Sequence, residues 1–294
     1  MLILESLPKG DFWRDVQVQP DVARAHVFHG RVEPAWIFTF ASGGVLMALG
    51  MRAAERDLGR DDLVALSAHA TFCAPVSQGP VEITVRVLRS GKTAAQVLAE
   101  LSVPGQDSVA MVLTATFGQL RADSPFTFDR RVFPTDVPPY TELPPTLVPE
   151  HLIPLFAGNS AFGQYEHRRA VGHAGWESGW TAGTGRYCGW LRFHSSPMRP
   201  DGTLDPLCLA FAGDQPGIPL VQALGSALGM NLMAPTLNLD LQFIRPTTSE
   251  WLCVDVSAHE AIDGFAHVTA EIWDQERRMV GLCSQRAALK LWTK

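Results

Sequence analysis

The chain has 294 residues, 46% of them hydrophobic and 18% charged, which is enough apolar material for two cores or one duplicated core. Its formal net charge of −6 argues against a polyanionic nucleic-acid partner. No stretch approaches the roughly 18 consecutive apolar residues of a membrane helix, and residues 1–11 lack a basic segment followed by an apolar run, so a soluble, cytoplasmic protein without a membrane partner is expected.

Residues 12–18 and 24–32 alternate loosely and read as lead-in strands. After Ser42-Gly43-Gly44, the residues Val45, Leu46, Met47, Leu49, Met51, Ala53 and Ala54 are apolar almost all round, before Arg52, Glu55, Arg56 and Asp57 mark a polar end. That pattern predicts an enclosed helix. Leu66, Ala68, Ala70 and Phe72 then alternate with Ser67, His69 and Thr71, the period of a half-buried strand, which Pro75 ends. Val81, Ile83, Val85 and Val87 alternate up to the turn Arg89-Ser90-Gly91-Lys92, and residues 93–103 and 108–118 complete a meander around Pro104-Gly105.

Residues 125–154 hold eight of the chain's 21 prolines, so this segment has few backbone donors and restricted torsions and reads as an extended, semi-rigid connector. Residues 155–190 are rich in Gly and Trp and read as loop leading into a strand over residues 186–193. A phosphate-cradling loop would need a strand before it and a helix after it, and neither is evident.

A second enclosed helix is predicted within residues 209–230, with Leu220, Val221, Leu224 and Leu228 at helical spacing and Pro219 suited to its first turn. The lone carboxylate Asp214 precedes it, where an anion is favoured near a helix N-terminus. Leu237, Leu239, Leu241 and Phe243 alternate with Asn238, Asp240 and Gln242 up to Pro246, and residues 251–258, 265–273 and 279–289 repeat the meander. Phe40 and Phe211, Phe72 and Phe243, and Pro75 and Pro246 are each separated by 171 positions. One offset held across a helix and a strand indicates an internal duplication. The predicted organisation is α+β, with one repeat in residues 1–120, a proline-rich linker in 121–165 and a second repeat in 166–294 that carries the candidate site.

Other chemistries lack their residues. The five cysteines are odd in number, widely spaced and mostly within apolar runs, as for reduced core thiols. His26 and His29 are three apart, which on a strand puts them on opposite faces, a poor arrangement for a metal pair. Gly158-Asn159-Ser160-Ala161-Phe162 fails the Gly-x-Ser-x-Gly pattern of a serine nucleophile at its last position.

Three pieces carry a resemblance to a known family: Phe-Ala-Gly-Asp at residues 211–214, Pro-Thr-Leu-Asn-Leu-Asp-Leu-Gln-Phe-Ile-Arg-Pro at 235–246, and Met-Val-Gly-Leu-Cys-Ser-Gln at 279–285. Ser42-Gly43-Gly44 and Leu88-Arg89-Ser90-Gly91-Lys92 in the first repeat fit as well. In this order and spacing they resemble the acyl-CoA thioesterase II family. The resemblance implies a double hot-dog fold, two tandem repeats each with a long buried helix wrapped by an antiparallel sheet. It covers most of both repeats and lapses in the linker.

Carried over by that resemblance, the catalytic Asp, Thr and Gln fall on Asp214, Thr236 and Gln285. The implied reaction is hydrolysis of an acyl-CoA thioester to free acid and coenzyme A, with no metal or organic cofactor, in a chain that can form homo-oligomers. An ionised Asp214 would orient or deprotonate water, Thr236 and Gln285 would fix its position, and helix-terminal N–H groups would face the thioester oxygen. Two positions depart from the family pattern: Asn238 stands where an acidic residue is usual, and Val45 where many members carry Gln. Hot-dog hydratases carry a His five residues after their Asp, and here that position is Pro219. The alternative reading is a non-catalytic acyl-CoA or acyl-carrier binding protein of the same fold. Arg89, Lys92, Arg245, Arg277 and Arg286 are candidate partners for the coenzyme A phosphates, and the sequence selects none of them.

Strand alternation groups Thr236 with Asn238, Asp240 and Gln242, away from the leucine face. Thr236 therefore reaches a buried site only if the start of its strand bends or lies at a junction between the repeats.

Overall fold

The computed structural model describes residues 8–152, 160–227 and 231–291. Asp11 opens the chain's first element by accepting from the Arg14 N–H, so Phe12–Asp15 forms a helical turn, α1, where a strand was expected. Phe12 and Val16, one turn apart, are buried. The second expected lead-in strand is shorter than its pattern. A turn built on Asp21, and the left-handed backbone of His26 (φ 62°), occupy its first half. A short β1 (Gln19–Pro20) and then β2 (Val27–Val32) remain.

Helix α2 (Gly43–Leu58) is buried without a break from Gly44 to Ala54, as its all-round apolar pattern requires. It stops at Gly59, whose left-handed φ of 57° lets its N–H return to the Glu55 carbonyl. The meander follows as β3 (Val64–Phe72), β4 (Gly79–Ser90), β5 (Ala94–Ser102) and β6 (Val109–Gly118). Alternate residues such as Ala95, Val97, Ala99 and Leu101 of β5 are buried in the core around the helix.

The linker is a packed strap. Phe133, Val137 and Tyr140 lie against Trp190, Trp251 and Trp273, and the Trp190 indole donates to the Pro138 carbonyl at 2.9 Å. The Gly- and Trp-rich region contains one strand that periodicity does not reveal, β7 (Tyr165–Val171), before β8 (Arg186–Phe193).

The second long helix, expected to begin at Pro219, is the short α4 (Gly217–Leu224), and a further short helix that the spacing had not indicated, α3 (Cys208–Gly213), precedes it. The residue before a proline is pushed out of helical torsions, so α3 and α4 are separated at Asp214, Gln215 and Pro216. Pro219 sits in the first turn of α4. Leu228 and Met230, in the expected end of this helix, lie outside the described residues. The remaining strands are β9 (Leu232–Met233), β10 (Thr236–Phe243), β11 (Trp251–Ile262), β12 (Phe265–Asp274), β13 (Met279–Ala288) and β14 (Lys290–Leu291).

Twelve strands form one antiparallel sheet in the order β1-β2-β4-β5-β6-β3-β10-β13-β12-β11-β8-β7, and β14 pairs separately with β9. The sequence of strands reads the same outward from the β3–β10 junction in both directions, as a duplication requires. There Asp240 is the direct partner of His69, the residue 171 positions before it, so a pseudo-twofold axis passes through this pair. Their side chains meet at 2.7 Å on the half-exposed face of the sheet.

Across the junction α2 touches α3 backbone to backbone. A Cβ on Gly44 would lie 2.4 Å from the Ala210 carbonyl oxygen, so only glycine fits. A buried ion cluster also spans the copies: Arg52 of α2 pairs with Glu55 at 2.6 Å and with Asp205 of the second copy, and Arg199 bonds Asp205 at 3.1 Å. Of the five free cysteines, Cys73 is exposed, contrary to the expected core thiols, and the other four are buried.

Candidate active site

Asp214 sits where α3 ends and the chain turns before α4. Its side chain is directed at the start of α2, in the other copy. One carboxylate oxygen, Oδ2, accepts from the Gly44 N–H at 3.0 Å and from the Ser42 hydroxyl at 3.3 Å. The expectation that this carboxylate would face the N-terminus of its own following helix is thus corrected: the positive end it meets belongs to the first copy's helix. Gly43 makes the approach possible, since a Cβ there would be 3.1 Å from Oδ2 and 2.8 Å from the ring of Phe72.

The other oxygen, Oδ1, accepts from the Thr236 hydroxyl at 2.9 Å. Thr236 reaches it because β10 carries a bulge at Leu237, where pairing with β13 slips from Thr236–Ala287 to Asn238–Arg286. The extra residue reverses the alternation for Thr236, while Leu239 and Leu241 remain buried. Asn238 fastens the bulge by accepting the Arg286 N–H at 2.9 Å. β3 bulges at Leu66, 171 positions earlier, so the irregularity belongs to the repeat.

Gln285 is 1% exposed, on the buried face of β13 beside Cys283 and Ala287, and is no solvated strand residue. Its amide donates to the Gly213 carbonyl at 3.1 Å, which leaves its oxygen 3.3 Å from the Thr236 hydroxyl. A threonine hydroxyl has one proton to give. When Asp214 is ionised that proton belongs on the carboxylate, and the Gln285 oxygen remains an acceptor for another donor.

Burial pushes the Asp214 carboxyl above the ordinary carboxylate range, against the opposing pull of the donors Thr236, Gly44 and Ser42. Phe211, three residues before it in α3, packs its ring against Trp36 and parallel to that of Phe38. The counterparts of the three polar residues in the first copy are Gly43, Ala65 and Ala115, so the set occurs once per chain.

The structure therefore brings Asp214, Thr236 and Gln285 together. Ser42 and Gly44 were missed by the sequence reading as members of this cluster. The signal was present: Gly43 is the offset partner of Asp214, and paired positions near a twofold axis come into contact. His26 and His29 turn to Asp57 and Asp21 separately, each at 2.8 Å. Among the described residues no group of three or more His, Cys, Asp or Glu could hold a metal, and no helix is long and apolar enough to cross a membrane.

The profile of the acyl-CoA thioesterase N-terminal domain matches residues 32–118, and that of the acyl-CoA thioesterase C-terminal domain matches residues 134–289. No curated protein matches the chain in sequence. Among solved structures, the acyl-CoA thioesterase II TesB2 of Mycobacterium marinum is 18% identical, with a TM-score of 0.70 over 95% of this chain and 98% of that one. A hot-dog protein of unknown function from Alicyclobacillus acidocaldarius is 20% identical, with a TM-score of 0.73 over 95% and 97%. The tesB protein of Mycobacterium avium subs paratuberculosis is 18% identical, with a TM-score of 0.69 over 95% and 98%. At these identities the likeness speaks to the hot-dog fold alone.

Proposed function

The chain belongs to the acyl-CoA thioesterase family and is a thioester hydrolase, and from that premise we propose that it cleaves acyl-CoA with water activated by Asp214, aided by Thr236 and Gln285. The observation that carries this reading is the convergence of the three side chains, drawn from α3's end, β10 and β13, with the Thr236 hydroxyl within hydrogen-bond reach of both Asp214 and Gln285. The fold is read as a double hot-dog, with repeats in residues 1–120 and 166–294 joined through 121–165.

In the proposed reaction water donates one proton to Asp214 Oδ1 and points the other at the Gln285 oxygen, which leaves a lone pair for the thioester carbon. As the C–O bond forms, Asp214 takes the proton. Collapse of the tetrahedral intermediate breaks the C–S bond, and the departing coenzyme A thiolate takes the proton held by Asp214, which restores the carboxylate as the acid is released. Amide donors for the acyl oxygen would come from the first turn of α4, which opens at Gly217 just after Asp214.

The test is free-thiol release from a panel of acyl-CoAs. Asp214→Asn should lower kcat by about 10²- to 10⁴-fold, the usual cost of losing a general base. Thr236→Ala and Gln285→Ala should lower it less. Parental turnover by folded Asp214→Asn would overturn the assignment of the base.

A further inference from the structure

Ser42 stands at the N-cap of α2, where a serine side chain ordinarily accepts an N–H from two or three residues ahead. Here it makes no capping bond. The Gly44 N–H that it would accept goes to Asp214 Oδ2, and the Ser42 hydroxyl donates to that same oxygen. Ser42 is 2% exposed, so water does not compete for the bond. The carboxylate of the second copy has taken over the cap of the first copy's helix, and the serine has turned from acceptor to donor.

We propose that Ser42 is a positioning residue for Asp214: with the Gly44 N–H it holds Oδ2 at the start of α2, so that Oδ1 alone faces Thr236, Gln285 and the reacting water. This inference rests on the reading of Asp214 as the general base. A carboxylate free to rotate would offer either oxygen to either set of partners. Two donors from a separate element on Oδ2, against one from Thr236 on Oδ1, make the two oxygens unlike. The donors on Oδ2 also favour the anion, opposing the burial that raises its proton affinity.

Two substitutions separate positioning from capping. Ser42→Ala removes the hydroxyl and makes a poor N-cap, whereas Ser42→Gly removes the hydroxyl and remains a good one. If Ser42 positions Asp214, both variants should move the acid limb of the kcat/KM profile to higher pH, with a loss of about 10-fold on that limb and a smaller loss on the plateau, as for a lost hydrogen bond to a charged group. If it only caps the helix, Ser42→Ala should melt at lower temperature than Ser42→Gly, and both should keep the parental pH profile. Asp214→Asn is assayed alongside. When that variant is inactive, unchanged profiles for both serine variants overturn the role of Ser42 alone. Full activity in Asp214→Asn overturns the base, and the positioning role with it.

Discussion

Asp214 holds its proton more tightly in the folded chain than an ordinary carboxyl because burial penalises the anion more than its donors stabilise it. As pH rises above the ordinary carboxylate range, the unfolded chain loses this proton first. The folded state then binds more protons than the unfolded one, and stability falls with pH until the folded carboxyl also ionises. Asparagine fits the same contacts: its oxygen can accept from Gly44 and Ser42, and its amide can donate to Thr236, which then donates to Gln285. Asp214→Asn should therefore match the parent's stability at low pH and exceed it increasingly as pH rises through this window. Urea titrations across that range check this, and a pH-independent difference would sink it. At this scale the three candidate residues were legible as types within a resemblance. The contacts of Asp214 with Ser42 and Gly44 were not legible from local spacing, and only the repeat offset that pairs Gly43 with Asp214 pointed to them.

Helix α2 and the strand meanders were readable because burial imposes a period on them: all-round apolar for an enclosed helix, alternate for a half-buried strand. The start of the second helix was legible at Pro219, whereas the short α3 ahead of Asp214 was not, since six residues are too few to show a helical period. The bulge at Leu237 left no such trace, since an extra residue is visible only against the strand it pairs with. The close approach of α2 and α3 yields a prediction for elements rather than side chains. Gly44→Ala would drive a methyl into the Ala210 carbonyl and the Phe211 backbone, neither of which is a flexible group. The two helices would have to separate, at a cost of about 1–3 kcal/mol or more for overpacking, and the Asp214–Gly44 hydrogen bond would be disturbed with them. Thermal melts combined with thiol release should show stability and turnover falling together. A stable, fully active Gly44→Ala would contradict the backbone contact.

For the whole molecule, the two copies share one sheet through β3 and β10, a helix contact and the buried Arg52–Asp205 pair, besides the strap that joins them. Proteolysis near Pro144 should leave the halves associated in native size-exclusion chromatography, and their separation would refute the shared core. Removing Arg52 by Arg52→Met should destabilise the chain by less than the about 3–5 kcal/mol of a fully broken buried pair, because Arg199 stays bonded to the fully buried Asp205. Denaturant midpoints measure this. The duplication was legible from the constant offset, whereas the strap's burial against three tryptophans was not, since a proline-rich segment looks alike whether it spans water or lies on a surface.

The axis through His69 and Asp240 also passes close to Asp214 and Gly43, its counterpart. A group on such an axis confronts its own image. Had both copies kept a carboxylate at this position, the two would compete for the same space and repel one another. The glycine is the blank half of a lock that admits a single key, and the lone carboxylate at this pair of positions follows from where the symmetry element lies. Duplication supplied two matching scaffolds, and their point of contact leaves room for only one carboxylate between them.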